Sequence, residues 1–397
     1  MTNPSLKIMP AFLAGGLALA GCDNPTASTD PSGDGSRTVP PIEWIWTSGH
    51  TIANLSGFYG TKGEADPDNM PGARSSALSW SDESGNLWLF GGRGYDSAGE
   101  NGRFNDLWRF DGEAWTWVSG SASIDESGTY GTRTVPDADN VPGARSGAVS
   151  WIDARGNLWL FGGFGYDSAG DDIGYLNDLW RFDGEAWTWI SGSNTGNELG
   201  MYGTKGEAAA DNVPGARSTA VSWRDESGNL WLFGGWGRDS TTDTGFLNDL
   251  WRFDGAAWTW VSGSDSLDES GTYGTKGEAA ADNVPGARST AVSWRDGSGN
   301  LWLFGGYGRD GGGAFGDLND LWRFDGAAWT WVSGSDTTDE YGTYGTKGVA
   351  AADNAPGARS HAVSWSDKSG ELWLFGGFGY DSGGEKGLLN DLWRFAP

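Results

Sequence analysis

Five arginines, Arg74, Arg145, Arg217, Arg288 and Arg359, each stand third in a copy of Gly-Ala-Arg-Ser, at spacings of 71, 72, 71 and 71 residues. A guanidinium grips a carboxylate, sulfate or phosphate through two parallel N–H donors, so two roles fit the set. Converging on one mouth, the five would form an anion-attracting ring; pairing with a nearby Asp, such as that of the recurrent Asn-Asp-Leu-Trp, they would tie the repeats together. A second set follows each Gly-Gly doublet and varies where its surroundings hardly do: Arg93, Phe164, Trp236, Tyr307 and Phe378. Exposed aromatics beside polar loops suit sugar rings or protein hot spots, and packing over the core is the alternative. Third come Asp96, Asp167, Asp239, Asp310 and Asp381 in Gly-rich loops. Calcium takes such oxygens, but no known calcium-loop spacing is present, and an Asp after Gly also closes a turn on its own backbone. His361 occupies a slot held elsewhere by Ser76, Gly147, Thr219 and Thr290, which makes it the symmetry-breaking candidate for ligand binding or acid–base work.

These residues recur because the chain does. Repeats start near residues 72, 143, 215, 286 and 357, and a fixed period of this kind is the signature of a repeat architecture. Each repeat holds four short segments rich in β-branched and aromatic residues, exemplified by Ser289–Trp294, Leu301–Phe304, Leu321–Phe324 and Trp329–Val332, here called strands a to d. Asp296–Asn300 and Asp325-Gly326 separate them as tight turns.

The Gly305-Gly306 doublet ending strand b, with Trp322 and Trp329 on strands c and d, resembles the kelch-repeat β-propeller. The resemblance spans five repeats and implies an all-β, five-bladed propeller with four antiparallel strands per blade. Kelch repeats run to roughly 50 residues; these are longer, with the surplus between d and a and between b and c. Both connections are expected on one face, so that face is the expected working face. The family includes copper-radical oxidases, whose copper site needs two His, Tyr ligands and a Cys joined to Tyr. The chain has only His50, His361 and a single Cys, so the copper site does not carry over and no catalytic residue is assigned. Nor is a phosphate loop present, since no helix follows the glycines.

Residues 1–21 read as a secretory signal: Lys7 precedes an apolar run from Ile8 to Ala20 too short to span a bilayer. Leu19-Ala20-Gly21-Cys22 resembles the bacterial lipobox, which implies that Cys22 is lipidated. Residues 22–41, a mixture of Pro, Ser, Thr, Asp and Gly, then form a disordered tether. The propeller is expected over 42–397. Ile42-Glu43-Trp44-Ile45-Trp46 repeats the pattern of strand d, which the last repeat lacks. Trp44 and Trp46 also complete the five Trp that each other repeat carries, leaving only Trp236 outside the pattern. The expected ring is therefore closed by the N-terminal strand joining the last blade.

A net charge of −27 excludes nucleic acid as a partner. The expectation is an exported, lipid-anchored bacterial protein, periplasmic or at the cell surface. It would be monomeric and bind a glycan or an envelope protein through one propeller face, without a cofactor. An envelope-glycan-modifying enzyme and a structural or assembly component are the alternatives.

Overall fold

The computed structural model describes residues 46–170, 173–241, 243–367 and 370–395. The signal, Cys22, the tether and Ile42–Ile45 lie outside the described residues. Among those described, no helix is long and apolar enough to cross a membrane.

The chain folds as successive antiparallel blades of a β-propeller. Blade four has strand a at Val292–Arg295, b at Leu301–Arg309, c at Phe315–Phe324 and d at Trp329–Ser333. The a–b turn is built by one side chain. Asp296 Oδ1 accepts from the N–H groups of Ser298 and Asn300, while Oδ2 accepts from Asn300 Nδ2 and Trp302 Nε1. The c–d turn repeats the device on a smaller scale, with Asp325 Oδ1 taking the N–H groups of Ala327 and Ala328.

Strands b and c are about twice as long as their sequence pattern predicts. In blades two to five the Gly-Gly doublet does not end strand b, whereas in blade one it separates Leu87–Phe90 from Arg93–Tyr95. Gly305 and Gly306, at φ 63° and 96°, make a bulge between Phe304 and Gly306, and the ladder resumes at Gly306↔Leu318. A bulge shifts register without ending pairing, so most of the expected Gly-rich loop is hairpin, and only Asp310–Ala314 remains as its tip.

The surplus between d and a also departs from expectation. Part of it leaves the loop face and adds a short strand outside strand d: Ala65–Asp66, Ala208–Ala209 and Ala279–Ala280 pair with the d strands of blades one, three and four. Covering an outer edge removes unpaired backbone groups that would otherwise recruit another chain. The same connection then runs inward, where Arg-Ser of each Gly-Ala-Arg-Ser pairs with the far half of strand b, as in Arg288↔Gly308.

Neighbouring blades bury the outward rows of one sheet against the inward rows of the next. Trp151, Trp159 and Phe161 of blade two pack on Leu230, Leu232, Trp251 and Trp258 of blade three, and the same interface recurs between one and two, three and four, and four and five. Blade five comprises a Val363–Ser366, b Leu372–Tyr380 and c Lys386–Phe395. The expected closing strand falls mostly on residues outside those described; Trp46–Gly49 form no strand.

Candidate functional site

The recurrent arginines point into the blades. Arg217 Nη1 and Nη2 donate to Asp249 Oδ1 and Oδ2 at 2.5 and 2.7 Å, Nε donates to Gly215 O, and Nη1 also donates to Gly234 O. Tyr202 Oη and Trp251 Nε1, both at 2.7 Å, complete the shell of Asp249 Oδ2. The same lock recurs as Arg74–Asp106, Arg145–Asp178, Arg288–Asp320 and Arg359–Asp391. These guanidiniums are buried and their donors are spent on the protein, so no anion-attracting ring forms. The Asp partner is that of Asn-Asp-Leu-Trp, but the side-chain tie lies within one blade, joining the inner strand, strand b and strand c. The backbone of the same arginine reaches the preceding blade: Arg145 N donates to Phe104 O, and Gly92 N donates to Arg145 O. The tyrosines of the lock, Tyr59, Tyr130, Tyr202, Tyr273 and Tyr344, were not among the sequence candidates. Their signal was a Tyr-Gly-Thr recurring with the same period.

Burial pushes the Tyr202 hydroxyl well above its usual range, and the adjacent Asp249 carboxylate adds to the shift. In blade five, burial raises the Tyr344 hydroxyl to about 12. At Asp391 burial also acts upward, but hydrogen bonds from Arg359, Tyr344 and Trp393 outweigh it and hold the carboxyl at about 2. The a–b turn carboxylates Asp82, Asp153, Asp225 and Asp296 are held low in the same way, burial being outweighed by Trp, Asn and backbone donors. A carboxyl depressed in the folded state contributes stability above its ordinary value of 3.8, and that contribution is lost as pH falls through the folded value. The urea midpoint should therefore be flat above about pH 5 and drop steeply from about pH 4 toward pH 2. A midpoint unchanged down to pH 2.5 would contradict these assignments.

His361 lies exposed on the inner rim. It shares φ values of 54–66° with Ser76, Gly147, Thr219 and Thr290, a conformation that costs a β-branched residue such as Thr. A chain of backbone bonds offsets that cost. Gly147 N donates to Ser76 O, Thr219 N to Gly147 O, Thr290 N to Thr219 O, and His361 N to Thr290 O, at 3.4, 2.8, 3.1 and 3.1 Å. The imidazole Nδ1 is 3.3 Å from Ser360 Oγ. The slot is thus an inter-blade contact point lined with small polar side chains.

Residues after the Gly-Gly doublets form a different group. Each faces a strand-c residue across the ladder: Arg93↔Arg103, Phe164↔Tyr175, Trp236↔Phe246, Tyr307↔Asp317 and Phe378↔Leu388. The strand-c member is pinned from its other side by the d–a loop. Asp268, at φ 58°, takes the Phe246 N–H on Oδ1 and donates its own N–H to Phe246 O. Asp125, Asn197 and Asp339 hold Arg103, Tyr175 and Asp317 in the same way. Pairs touch across two blade boundaries, where the Arg103 guanidinium lies 4.8 Å from the Phe164 ring centroid and Phe246 lies 5.7 Å from Tyr307, and across a third Lys386, which faces Tyr380, reaches Asp317 Oδ2 at 2.8 Å. A band of aromatic and charged side chains therefore joins blade one to blade two and links blades three, four and five, with Arg93, Tyr307 and Phe378 exposed and Phe164 and Trp236 half-buried.

The tip carboxylates order the loops beside this band. Asp310 Oδ1 takes the N–H groups of Gly312 and Ala314, and Oδ2 takes that of Thr338 in the d–a loop. Asp96, Asp167, Asp239 and Asp381 likewise accept backbone N–H groups of their own turns. Each of these carboxylates thus closes a turn on its own backbone, as the alternative to the calcium reading expects. Among the described residues, no group of three or more His, Cys, Asp or Glu is placed to hold a metal.

No family model matches the chain. Among solved structures it is similar to that of YjhT, with 16% identity over 82% of this chain and 82% of that one and a TM-score of 0.48. It is also similar to a fungal alcohol oxidase of the AA5 family in complex with copper, with 11% identity, a TM-score of 0.40 and coverage of 83% of this chain. The chain spans 63% of that oxidase.

Proposed function

We propose that the protein is a binding module that presents its loop-bearing face to a glycan or protein ligand, held at the cell envelope by a lipid on Cys22. The observation that carries the binding reading is the band around Trp236, Phe246 and Tyr307. Blades that repeat the Arg–Asp–Tyr–Trp lock residue for residue differ here, and they differ in aromatic and charged side chains set on a rigid two-sided mount. Rigid aromatics with adjacent polar groups are the side chains that dominate recognition energies. Near-identical blades supply repeated contacts more readily than the asymmetric set of groups that catalysis requires.

The test is a glycan-array and envelope pull-down screen with the Cys22→Ser full-length chain, followed by Trp236→Ala and Tyr307→Ala. Each change should weaken a selected ligand by about tenfold or more, the scale of a hot-spot residue, with little change in melting. Unchanged affinity in both variants would remove the band from the binding surface. The parent chain should incorporate labelled fatty acid and Cys22→Ser should not; incorporation by the variant would refute the anchor.

A further inference from the structure

Three side chains that no other repeat carries in their slots, Asp317, Tyr341 and Lys386, meet at the boundary between blades four and five. Tyr341 stands where three other repeats have Ser56, Ser127 and Ser270. Asp317 and Lys386 occupy the slots that Phe246 and Phe315 fill at the boundary between blades three and four. There the two rings pack at 5.5 Å; here Lys386 Nζ lies 2.8 Å from Asp317 Oδ2. Since a ring pair serves the same slots one blade earlier, the fold itself does not require an ion pair there.

The ion pair is set among open rings. Lys386 Nζ lies 5.6 Å from the Phe378 ring centroid and 5.1 Å from that of Tyr380. Tyr341 lies 5.9 Å from Tyr380, with 32° between the ring planes, and Tyr307 faces Asp317 across the ladder. Tyr341, Phe378 and Tyr307 are 57%, 42% and 38% exposed. The Lys386 side chain is 33% open to solvent, whereas that of Asp317 is 1% open. Asp317 Oδ1 has no donor among the described residues, and a buried acceptor of this kind is met by water or by a ligand. Burial acts downward on Lys386, but Asp317, Tyr380 and Asp339 outweigh it and hold the group as an ammonium.

We propose that this boundary is a subsite for one neutral pyranose unit of a glycan, with Tyr341 and Phe378 against its C–H face, Lys386 donating to its oxygens, and Asp317 as the positioning residue that holds the ammonium. The proposal rests on the binding reading above and extends the band from Tyr307 toward Tyr341. Open rings around a few fixed polar groups are the lining that orients a small ligand unit. The charge of Lys386 is already matched by Asp317, so a ligand carboxylate would compete with Asp317 and approach a chain of net charge −27. A neutral unit meets neither obstacle. A stable protein interface engages about 20–30 residues a side, whereas what distinguishes this boundary is confined to three side chains.

The full-length chain with Cys22→Ser is screened against neutral oligomers of glucose, mannose, galactose and N-acetylglucosamine, against oligogalacturonate as the acidic arm, and against envelope proteins. A neutral oligosaccharide should bind with an affinity unchanged from about 50 to 500 mM salt, a range over which an ionic contact is screened. Two variants keep elements that the fold already uses: Tyr341→Ser restores the side chain of three other repeats, and Asp317→Phe/Lys386→Phe transplants the ring pair of the preceding boundary. Each should weaken the oligosaccharide by about tenfold or more while melting like the parent; should the double variant fail to fold, Tyr341→Ser decides alone. Asp317→Asn leaves the ammonium unmatched and should bring salt-sensitive binding of oligogalacturonate, and its absence would remove Asp317 from the subsite. Selection of oligogalacturonate or a protein by the parent, or unchanged affinity in Tyr341→Ser, overturns the proposal. If Trp236→Ala and Tyr307→Ala still weaken the ligand in that case, the binding reading stands without the subsite; a chain that binds nothing in the screen overturns both.

Discussion

Arg217→Gln is expected to destabilise the protein by about 3–5 kcal/mol, because it strips a buried carboxylate of its bidentate partner and leaves the charge uncompensated. Asp249 sits between Arg217, Tyr202 and Trp251, and its side chain has no access to solvent. Asp249→Asn should cost a comparable amount from the other direction. The double variant should cost clearly less than the sum, since removing both charges removes the unpaired one. Tyr202→Phe takes away a single donor to the same carboxylate and should cost about 1–3 kcal/mol. Urea titrations of the four variants beside the parent measure these costs. An Arg217→Gln protein within about 1 kcal/mol of the parent would place the fold's strength elsewhere than in a buried pair of this kind.

Gly263→Ala is expected to cost about 2–5 kcal/mol, combining the left-handed backbone with overpacking. Gly263 has a φ of 80°, and an added Cβ would lie 2.0 Å from Asn248 O and 2.8 Å from Asp249 Cα. Both atoms are backbone, so neither can rotate away. This close approach lets the end of strand d cross the stretch of strand c that carries the lock, and Gly120, Gly192 and Gly334 repeat it. The control is Gly255→Ala in the c–d turn, where φ is 95° but nothing lies within 4 Å of the new Cβ. That variant should lose only about 1–2 kcal/mol, the cost of the backbone conformation alone. Equal losses at the two sites, read from thermal or urea unfolding, would show that the conformation, not the close approach, sets the effect.

How much of this was written in the sequence depends on the range of each interaction. The period, the four strands of a repeat and both hairpin turns are local, because Asp296 and Asp325 act on residues within six positions. They were legible directly. The Gly-Gly doublet was legible as a landmark but not as a bulge: whether a ladder stops or resumes after two glycines depends on the partner strand, and Gly306↔Leu318 resumes it.

The arginines show the limit most clearly. Spacing left them open to a ligand or to an Asp, and the choice rests on partners 32 or 33 residues away, with a Tyr a further stretch upstream. Only the folded blade brings Tyr202, Arg217 and Asp249 to one point, and burial there spends the guanidinium on the protein itself. The residues after the doublets were singled out by their variation, which is a property of sequence alone. That they meet partners of neighbouring blades, with four of the strand-c partners pinned by an Asp or Asn of the d–a loop, was decided by tertiary structure, because the register across strands and the contact between blades are set by packing that no single repeat contains.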